Sequence, residues 1–161
     1  MADAHPRGPQ RAKTLRGQKW INLVVRALLR TPGLCRIIGQ RLVTVYVIGR
    51  SSGRRYIIPV AYQRDGVDLL IGTSFTWGRN LRTGDAVTIR LRGKLTRARV
   101  RVSTNEPEVV TEYATMARAN PTFARLSGIR IDDDGEPDRQ DLQLAWVGGA
   151  RVARLTPLRP A

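Results

Sequence analysis

The amino-acid sequence predicts an α+β fold that is mainly β. Six or seven short antiparallel strands close into a barrel-like sheet, with helices outside it. Three observations carry that expectation. Runs rich in β-branched and aromatic residues fill the centre of the chain, beginning with Leu42-Val43-Thr44-Val45-Tyr46-Val47-Ile48. Glycine-containing turn signals separate these runs, as at Asp65-Gly66 and Arg92-Gly93. Finally, Thr96, Ala98, Val100 and Val102 alternate with Arg97, Arg99 and Arg101. A period of two sends the three arginines to one face, most simply a solvated one.

In chain order, residues 1–16 are rich in Pro, Gly and Arg and read as a flexible basic segment; 17–161 read as one domain. From Gly17 to Arg30 the apolar residues Trp20, Leu23, Val24, Ala27 and Leu28 recur at helical spacing. That helix is expected to cover a sheet. Its basic flank also allows a weak contact with an acidic membrane surface. Thr31-Pro32-Gly33 ends it, and Leu34 to Ile38 forms a short further turn.

The first strand is Leu42 to Ile48. The second runs from Tyr56 to Arg64 and contains Pro59, which cannot donate to a ladder and so marks an edge, a bulge or a ligand-facing break. Asp65-Gly66 turns into a third strand, Val67 to Thr73. A loop through Gly72, Thr73, Ser74, Phe75 and Thr76 leads to one or two helical turns at Trp77-Gly78-Arg79-Asn80-Leu81. Ala86 to Leu91 and Leu95 to Val102 are the fourth and fifth strands. Thr104 or Asn105 caps a helix with acids in its first turn, which runs to Ala119 and stops at Asn120-Pro121. Ile129 to Gln140 is acidic and reads as an exposed loop. Leu142 to Val147 and Ala150 to Leu155, joined by Gly148-Gly149, read as a last hairpin.

The 161 residues allow one domain with a proper core. The charge is less ordinary: 28 basic against 13 acidic residues gives +15. Such a surface favours anionic partners, whether nucleic acid, acidic lipid or a phosphorylated or polycarboxylate ligand. Nucleic acid is the least supported, because aromatics are only 6% and no element interleaves aromatic with basic residues. The lone cysteine, Cys35, excludes an internal disulfide and fits a reducing, cytoplasmic setting, with residues 17–30 allowing peripheral contact with the inner face of a membrane. Its apolar neighbourhood reads as packing. The single histidine, His5, stands apart from any Cys/His cluster or triad, so neither a metal site nor acyl-transfer chemistry is expected. No secretory signal and no run of about 18 apolar residues is visible.

Gly49-Arg50-Ser51-Ser52-Gly53-Arg54-Arg55 joins the first two strands. Glycines let the backbone turn tightly and a ligand approach closely. Turned N–H groups, serine hydroxyls and planar guanidinium forks all match phosphate or carboxylate oxygens. On the residues alone, an anion grip and a plain basic, solvated turn both stand.

The order of these pieces resembles the deazaflavin-dependent nitroreductase family. The pieces are the Gly-Arg-Ser-Ser-Gly-Arg-Arg hairpin, a strand with Pro59, Asp65-Gly66, Trp77-Gly78-Arg79-Asn80-Leu81, and Val87-Thr88-Ile89-Arg90-Leu91-Arg92-Gly93. The resemblance covers residues 17–128. It implies a split β-barrel of the FMN-binding, pyridoxamine phosphate oxidase-like type. It also implies coenzyme F-420, a deazaflavin with a phosphate and an oligoglutamate tail, as cofactor. The family assigns phosphate and tail to the positions of Arg50, Ser51, Ser52, Gly53, Arg54 and Arg55. Pro59, Val60 and Ala61 would lie against the ring, and Gly72, Thr73 and Ser74 would flank it. Trp77, Arg79 and Asn80 would begin a short helix that helps to hold the phosphate.

Relatives often carry lysine where this chain has Ser51, and a proline near Arg55. The aromatic lining of the nitroaromatic pocket is not matched; Tyr113 and Phe123 come nearest and read better as core. The implied reaction is hydride transfer to an electron-poor small molecule such as a quinone or nitro compound, with Ser74, Tyr62 or solvent as candidate proton donors. FMN in the same barrel, or a non-enzymatic cofactor-binding module, are the competing expectations. Exposed sheet edges also invite a homodimer.

Overall fold

The computed structural model describes residues 42–158. The expected helix at 17–30, the turn at 34–38, the segment 1–16, His5 and Cys35 lie outside the described residues. Seven strands form one antiparallel sheet: β1 Leu42–Ile48, β2 Arg55–Ala61, β3 Gln63–Asp65, β4 Asp68–Thr73, β5 Ala86–Leu91, β6 Lys94–Ser103 and β7 Arg151–Pro157. Their order across the sheet is β2-β1-β5-β6-β7-β4-β3.

That order dictates the curvature. β2 and β3 occupy opposite edges, yet only Tyr62 lies between Ala61 and Gln63. Seven strands laid flat at about 4.8 Å spacing would part the edges by about 29 Å. Two Cα steps span about 7.6 Å at most. The sheet must therefore roll until its edges meet, which is the split-barrel architecture the sequence predicts.

The core confirms the roll. Val43, Val45 and Val47 of β1 pack in one cluster with Leu69 and Ile71 of β4 and with Ala153 and Leu155 of β7, though β1 and β4 are four places apart in the order. The alternation expected in β6 holds: Ala98 and Val100 are buried, and Arg97, Arg99 and Arg101 are exposed.

A second core lies outside the barrel. Leu70 and Val152, on the other face of β4 and β7, meet helices α1 Glu106–Ala119, α2 Pro121–Ser127 and α3 Arg139–Val147 through Val109, Tyr113, Met116, Ala124 and Leu142. Asn105 caps α1, its side chain accepting from the Glu108 N–H at 3.0 Å. Asn120 ends α1 and caps α2, accepting from Thr122 and Phe123. Gly72 of β4 faces this layer: a Cβ there would stand 2.8 Å from the Phe123 ring and 3.1 Å from the Met116 methyl.

Three local readings change. The second strand is two strands, and the break falls at Tyr62 rather than Pro59. Pro59 sits opposite Thr44 on edge strand β2, the kind of strand in which proline is tolerated. The Asp65-Gly66 hairpin turns on Gly66 and Val67, with Gly66 at φ 58°, so β4 starts at Asp68. The last hairpin is a helix followed by a strand: 142–147 belongs to α3. Leu142-Gln143-Leu144-Ala145-Trp146-Val147 fits two periods, but Leu142, Ala145 and Trp146 share a helical face on the outer core. Asp138 caps that helix through the Asp141 N–H at 3.0 Å. The acidic loop before it is ordered by its own carboxylates: Asp132 accepts from the N–H groups of Asp134 and Glu136.

Charge pairs tie these layers together. The Arg154 guanidinium of β7 donates to Asp65 at 2.7 Å, Asp68 at 3.1 Å and Glu112 at 3.1 Å, joining the β3–β4 hairpin and α1 to the last strand. Arg154→Met would strand three carboxylates, two of them about one-fifth exposed. The expected loss is about 2–3 kcal/mol, below the ~3–5 kcal/mol of a fully buried network because water reaches this one, and chemical denaturation measures it.

Arg130 holds Asp141 below the usual carboxylate range, and Arg118 does the same for Glu136. A carboxylate with a depressed folded pKa stabilises above its unfolded value, and that contribution is lost as pH falls through the folded one. Melting temperature should therefore fall as pH drops below about 4. Asp141→Asn should melt lower at neutral pH and show a flatter acid limb in a series of thermal melts.

Candidate functional site

The site begins at the β1–β2 hairpin. Gly49 donates its N–H to the Arg54 carbonyl at 2.8 Å and accepts from the Gly53 N–H at 2.8 Å, a tight loop that Gly53 completes at φ 64°. A side chain on Gly49 would meet Ser52 Oγ and the Tyr56 ring at 2.7 Å. That space is used by Ser52, whose hydroxyl accepts from the Arg54 N–H at 3.3 Å and lies 3.3 Å from the Tyr56 hydroxyl. The tip is thus held by its own side chains, with the Arg54 and Arg55 guanidinium groups left exposed.

The second component is the 3₁₀ helix Thr76–Asn80. Gly78 is its buried residue, and a Cβ there would stand 2.7 Å from the Thr73 methyl, so glycine lets the helix seat on the end of β4. Trp77 packs partly into the barrel core. The sequence expected a helix whose N-terminus helps to hold an anion. Five residues of 3₁₀ helix, with no side-chain cap bond at Phe75, are too short for a useful macrodipole. Positive charge here comes from Arg79 instead.

Asn80 joins the two components. Its Oδ1 accepts from the Arg50 backbone N–H at 3.1 Å, and its Nδ2 donates to the Trp77 carbonyl at 3.1 Å. The Arg50 guanidinium donates to the Arg79 carbonyl at 2.9 Å. Residues thirty apart in sequence are thereby hooked together. Two clefts flank this junction. One, of about 580 Å³, is walled by Arg50, Ser51, Ser52, Tyr56, Trp77 and Arg79, and no carboxylate lines it. The other, of about 750 Å³, opens toward Tyr46, Ile48, Arg55, Arg82, Asp85 and Leu95. Among the described residues, Arg50, Arg54, Arg55, Arg79 and Arg82 have no carboxylate within salt-bridge distance.

These two clefts gather Arg50, Ser51, Ser52, Gly53, Arg55, Trp77, Arg79 and Asn80 of the residues singled out from the sequence. They do not gather Arg54, Pro59, Val60, Ala61, Gly72, Thr73 or Ser74. Pro59 and Ala61 are exposed on edge strand β2, beginning about 14 Å along from Arg55. Gly72 faces the helices, while Thr73 is buried and its hydroxyl accepts from the Phe75 N–H at 3.1 Å. Ser74 is exposed. Tyr62, a candidate proton donor, packs instead in the barrel core, 7% exposed, because it makes the crossing between sheet edges. Tyr113 and Phe123 are core, their rings edge-to-face at 5.2 Å, and burial pushes the Tyr113 phenol well above its usual range.

Sequence reasoning missed Tyr56, Arg82 and Arg151. Tyr56 is four residues from Ser52, a separation that two turning strands bring together. Arg151 carried no local signal at all. It opens β7 opposite Thr73 with its stem against Gly78, and burial, with a smaller effect of the Arg79 charge, lowers its pKa.

Comparison with solved structures finds 14 chains of similar fold, among them three of low identity to this chain. A protein described as a domain-swapped dimer shares 13% identity at TM-score 0.49, covering 86% of this chain and 98% of its own. A candidate 5-nitroimidazole antibiotic resistance protein from Bacteroides thetaiotaomicron VPI-5482 shares 11% at TM-score 0.47, covering 81% of each chain. An F-420 reductase shares 9% at TM-score 0.42, covering 74% of this chain and 88% of its own. No family model and no curated protein matches the chain. Likeness this distant carries no argument about activity, which rests on the residues.

Asn80→Ala should unhook the hairpin from the 3₁₀ helix while leaving the barrel intact. Hydrogen exchange at the Arg50 amide should quicken by about five- to tenfold, as expected for the loss of about 1 kcal/mol of hydrogen bonding, with the β5 and β6 amides unchanged.

Proposed function

We propose that this protein is a deazaflavin-dependent oxidoreductase that passes a hydride from reduced coenzyme F-420 to an electron-poor small molecule, such as a quinone or nitro compound. One observation supports it above the others: the hooked junction of Arg50, Asn80 and Arg79 borders a cleft with guanidinium and hydroxyl groups and no carboxylate. A phosphate suits that lining, since it brings the negative charge and acceptor oxygens these donors lack. Arg50, Ser51, Ser52 and Arg79 would hold it, with Arg54 and Arg55 meeting a polyanionic tail beyond the tip.

When bound, the deazaflavin supplies the hydride chemistry, and the protein supplies placement and electrostatics. Edge strand β2 would offer the ring its unpaired backbone groups near Pro59, Val60 and Ala61. The proton that follows the hydride would come from solvent or from exposed Ser74, because Tyr62 lies within the core. FMN ends in the same phosphate, so it is the alternative occupant that the same lining fits.

Replacing Arg54 and Arg55 together by alanine should weaken coenzyme F-420 binding by about tenfold or more, the scale of losing charge-assisted hydrogen bonds. Fluorescence titration of the full chain with the deazaflavin and, in parallel, with FMN reads both affinity and preference. Wild-type protein that binds neither ends this assignment.

A further inference from the structure

The helices cover one side of the barrel wall. Their outer core takes in Leu70 of β4 and Val152 of β7, and no residue of β1, β2, β5 or β6. On those four strands the inward set is plain. Val45 and Val47, Ile58 and Val60, and Ala98 and Val100 all belong to the barrel core. Period two therefore turns Tyr46 and Ile48, Ile57, and Leu95, Arg97 and Arg99 outward.

A solvated sheet face carries polar residues on its outer side. Ile48, Ile57 and Leu95 break that rule, at 63%, 62% and 57% exposure. They are set among polar neighbours: Ile48 pairs with Arg55, Ile57 with Tyr46, and Leu95 with Arg90. Ile48 and Leu95 also wall the 750 Å³ cleft together with Arg55 and Arg82. Arg55, Arg82, Arg90, Arg97 and Arg99 are exposed, and among the described residues none has a carboxylate within salt-bridge distance. Asp85 is the acid among the described lining residues of that cleft.

Charge selects what such a face can meet. A second copy, related by a two-fold axis, would bring the same arginines against themselves. Residues 1–41 hold nine Lys or Arg against one acid, Asp3, and so bring no counter-charge. Nucleic acid would satisfy the arginines, but three aliphatic side chains offer its bases no stacking surface. An acidic bilayer meets both demands, with phosphates for guanidinium groups and an acyl boundary for aliphatic side chains.

We propose that the outer wall of β2, β1, β5 and β6 docks on an acidic lipid surface, with Ile48, Ile57 and Leu95 entering the boundary between headgroups and acyl chains. The arginines around them meet the lipid phosphates. This goes beyond the proposed function, whose phosphate lies in the smaller cleft, and it uses a different surface from the stretch 17–30.

The test is sedimentation of the full chain with vesicles of phosphatidylcholine alone, or of phosphatidylcholine and phosphatidylglycerol in equal parts. Wild type should bind the acidic vesicles, less tightly as salt rises, and leave the neutral ones. Ile48→Ser, Ile57→Ser and Leu95→Ser combined should weaken binding at least about tenfold, with melting temperature unchanged because all three side chains are exposed. Arg97→Gln with Arg99→Gln should weaken it by about tenfold or more and flatten the salt dependence. Residues 1–41 are common to every chain compared, so their own attraction to the vesicles cancels. Binding equal to wild type in the folded serine variant would overturn the proposal, as would a wild type that ignores acidic vesicles. A wild-type dimer that the serine variant dissociates, with vesicle binding intact, would assign the face to a second copy instead. A serine variant that melts lower while binding vesicles as wild type does would assign it to the chain's own residues. Duplex DNA binding that the two arginine changes weaken, in a protein that binds no vesicles, would assign it to nucleic acid.

Discussion

The single residue between β2 and β3 constrains everything else. Tyr62 forces the two sheet edges to meet, and a sheet whose edges meet has an inside. Valines of β1 can then pack on leucine and isoleucine of β4, which a flat sheet would hold far apart. Tyr62 itself contributes to that core, which fixes the crossing by burial of apolar surface as well as by chain length. The roll also leaves β2 as an edge, and this is why a proline can sit in it. The hairpin that begins β2 consequently projects from the barrel's rim, where a neighbouring loop can meet it.

What meets it is the 3₁₀ helix after β4. Its placement follows from glycine and threonine more than from helix propensity. Gly78 lets the turn settle against Thr73, Trp77 anchors it in the barrel core, and Asn80 spends both ends of its amide on holding it to the hairpin. The result concentrates arginines from the hairpin, the helix and β7 around a five-residue element. Several acidic residues are committed elsewhere, while Asp85 lines the second cleft. Asp65, Asp68 and Glu112 are committed to Arg154, and Glu136, Asp138 and Asp141 to Arg118 and Arg130. Pairing of this kind leaves the arginines at the junction uncompensated by salt bridges among the described residues.

Local patterns in the chain disclosed much of this, and their failures have a common cause. β1 and β5 appear with the boundaries their composition implies, and of the two expected caps, Thr104 and Asn105, it is Asn105 that caps the helix. The stretch 142–147 misled because apolar residues at 142, 144, 145, 146 and 147 satisfy both periods, and only the outer core of β4 and β7 selects the helix. Six or seven strands were expected and the described residues hold seven, but partly by compensation: one expected strand divides at Tyr62 while another is α3. In the candidate site, the hairpin residues were legible because turn chemistry and charge lie within seven consecutive positions. Arg151 was not, since its meaning comes from pairing with Thr73 and from lying under Gly78, and pairing across a sheet leaves no mark in a single sequence.

The hairpin alone and the junction it forms with the 3₁₀ helix make different demands on the chain. A solvated basic turn would need neither Asn80 nor a glycine at position 49, since exposed arginines require no particular backbone. Here the tip is closed by two backbone bonds, filled by Ser52 and Tyr56, and fastened to the 3₁₀ helix through both the main chain and the side chain of Arg50. Fixing an arginine in this way restricts a side chain that loses about 1.5–2 kcal/mol of rotamer entropy when ordered. The two Arg50 bonds, each worth about 1 kcal/mol net, roughly offset that loss and leave little surplus stability. What remains is order: a ligand that met this junction would be spared part of the cost of fixing Arg50. Under the proposed function, a built junction of this kind is what an anion grip calls for and what a plain solvated turn would not need.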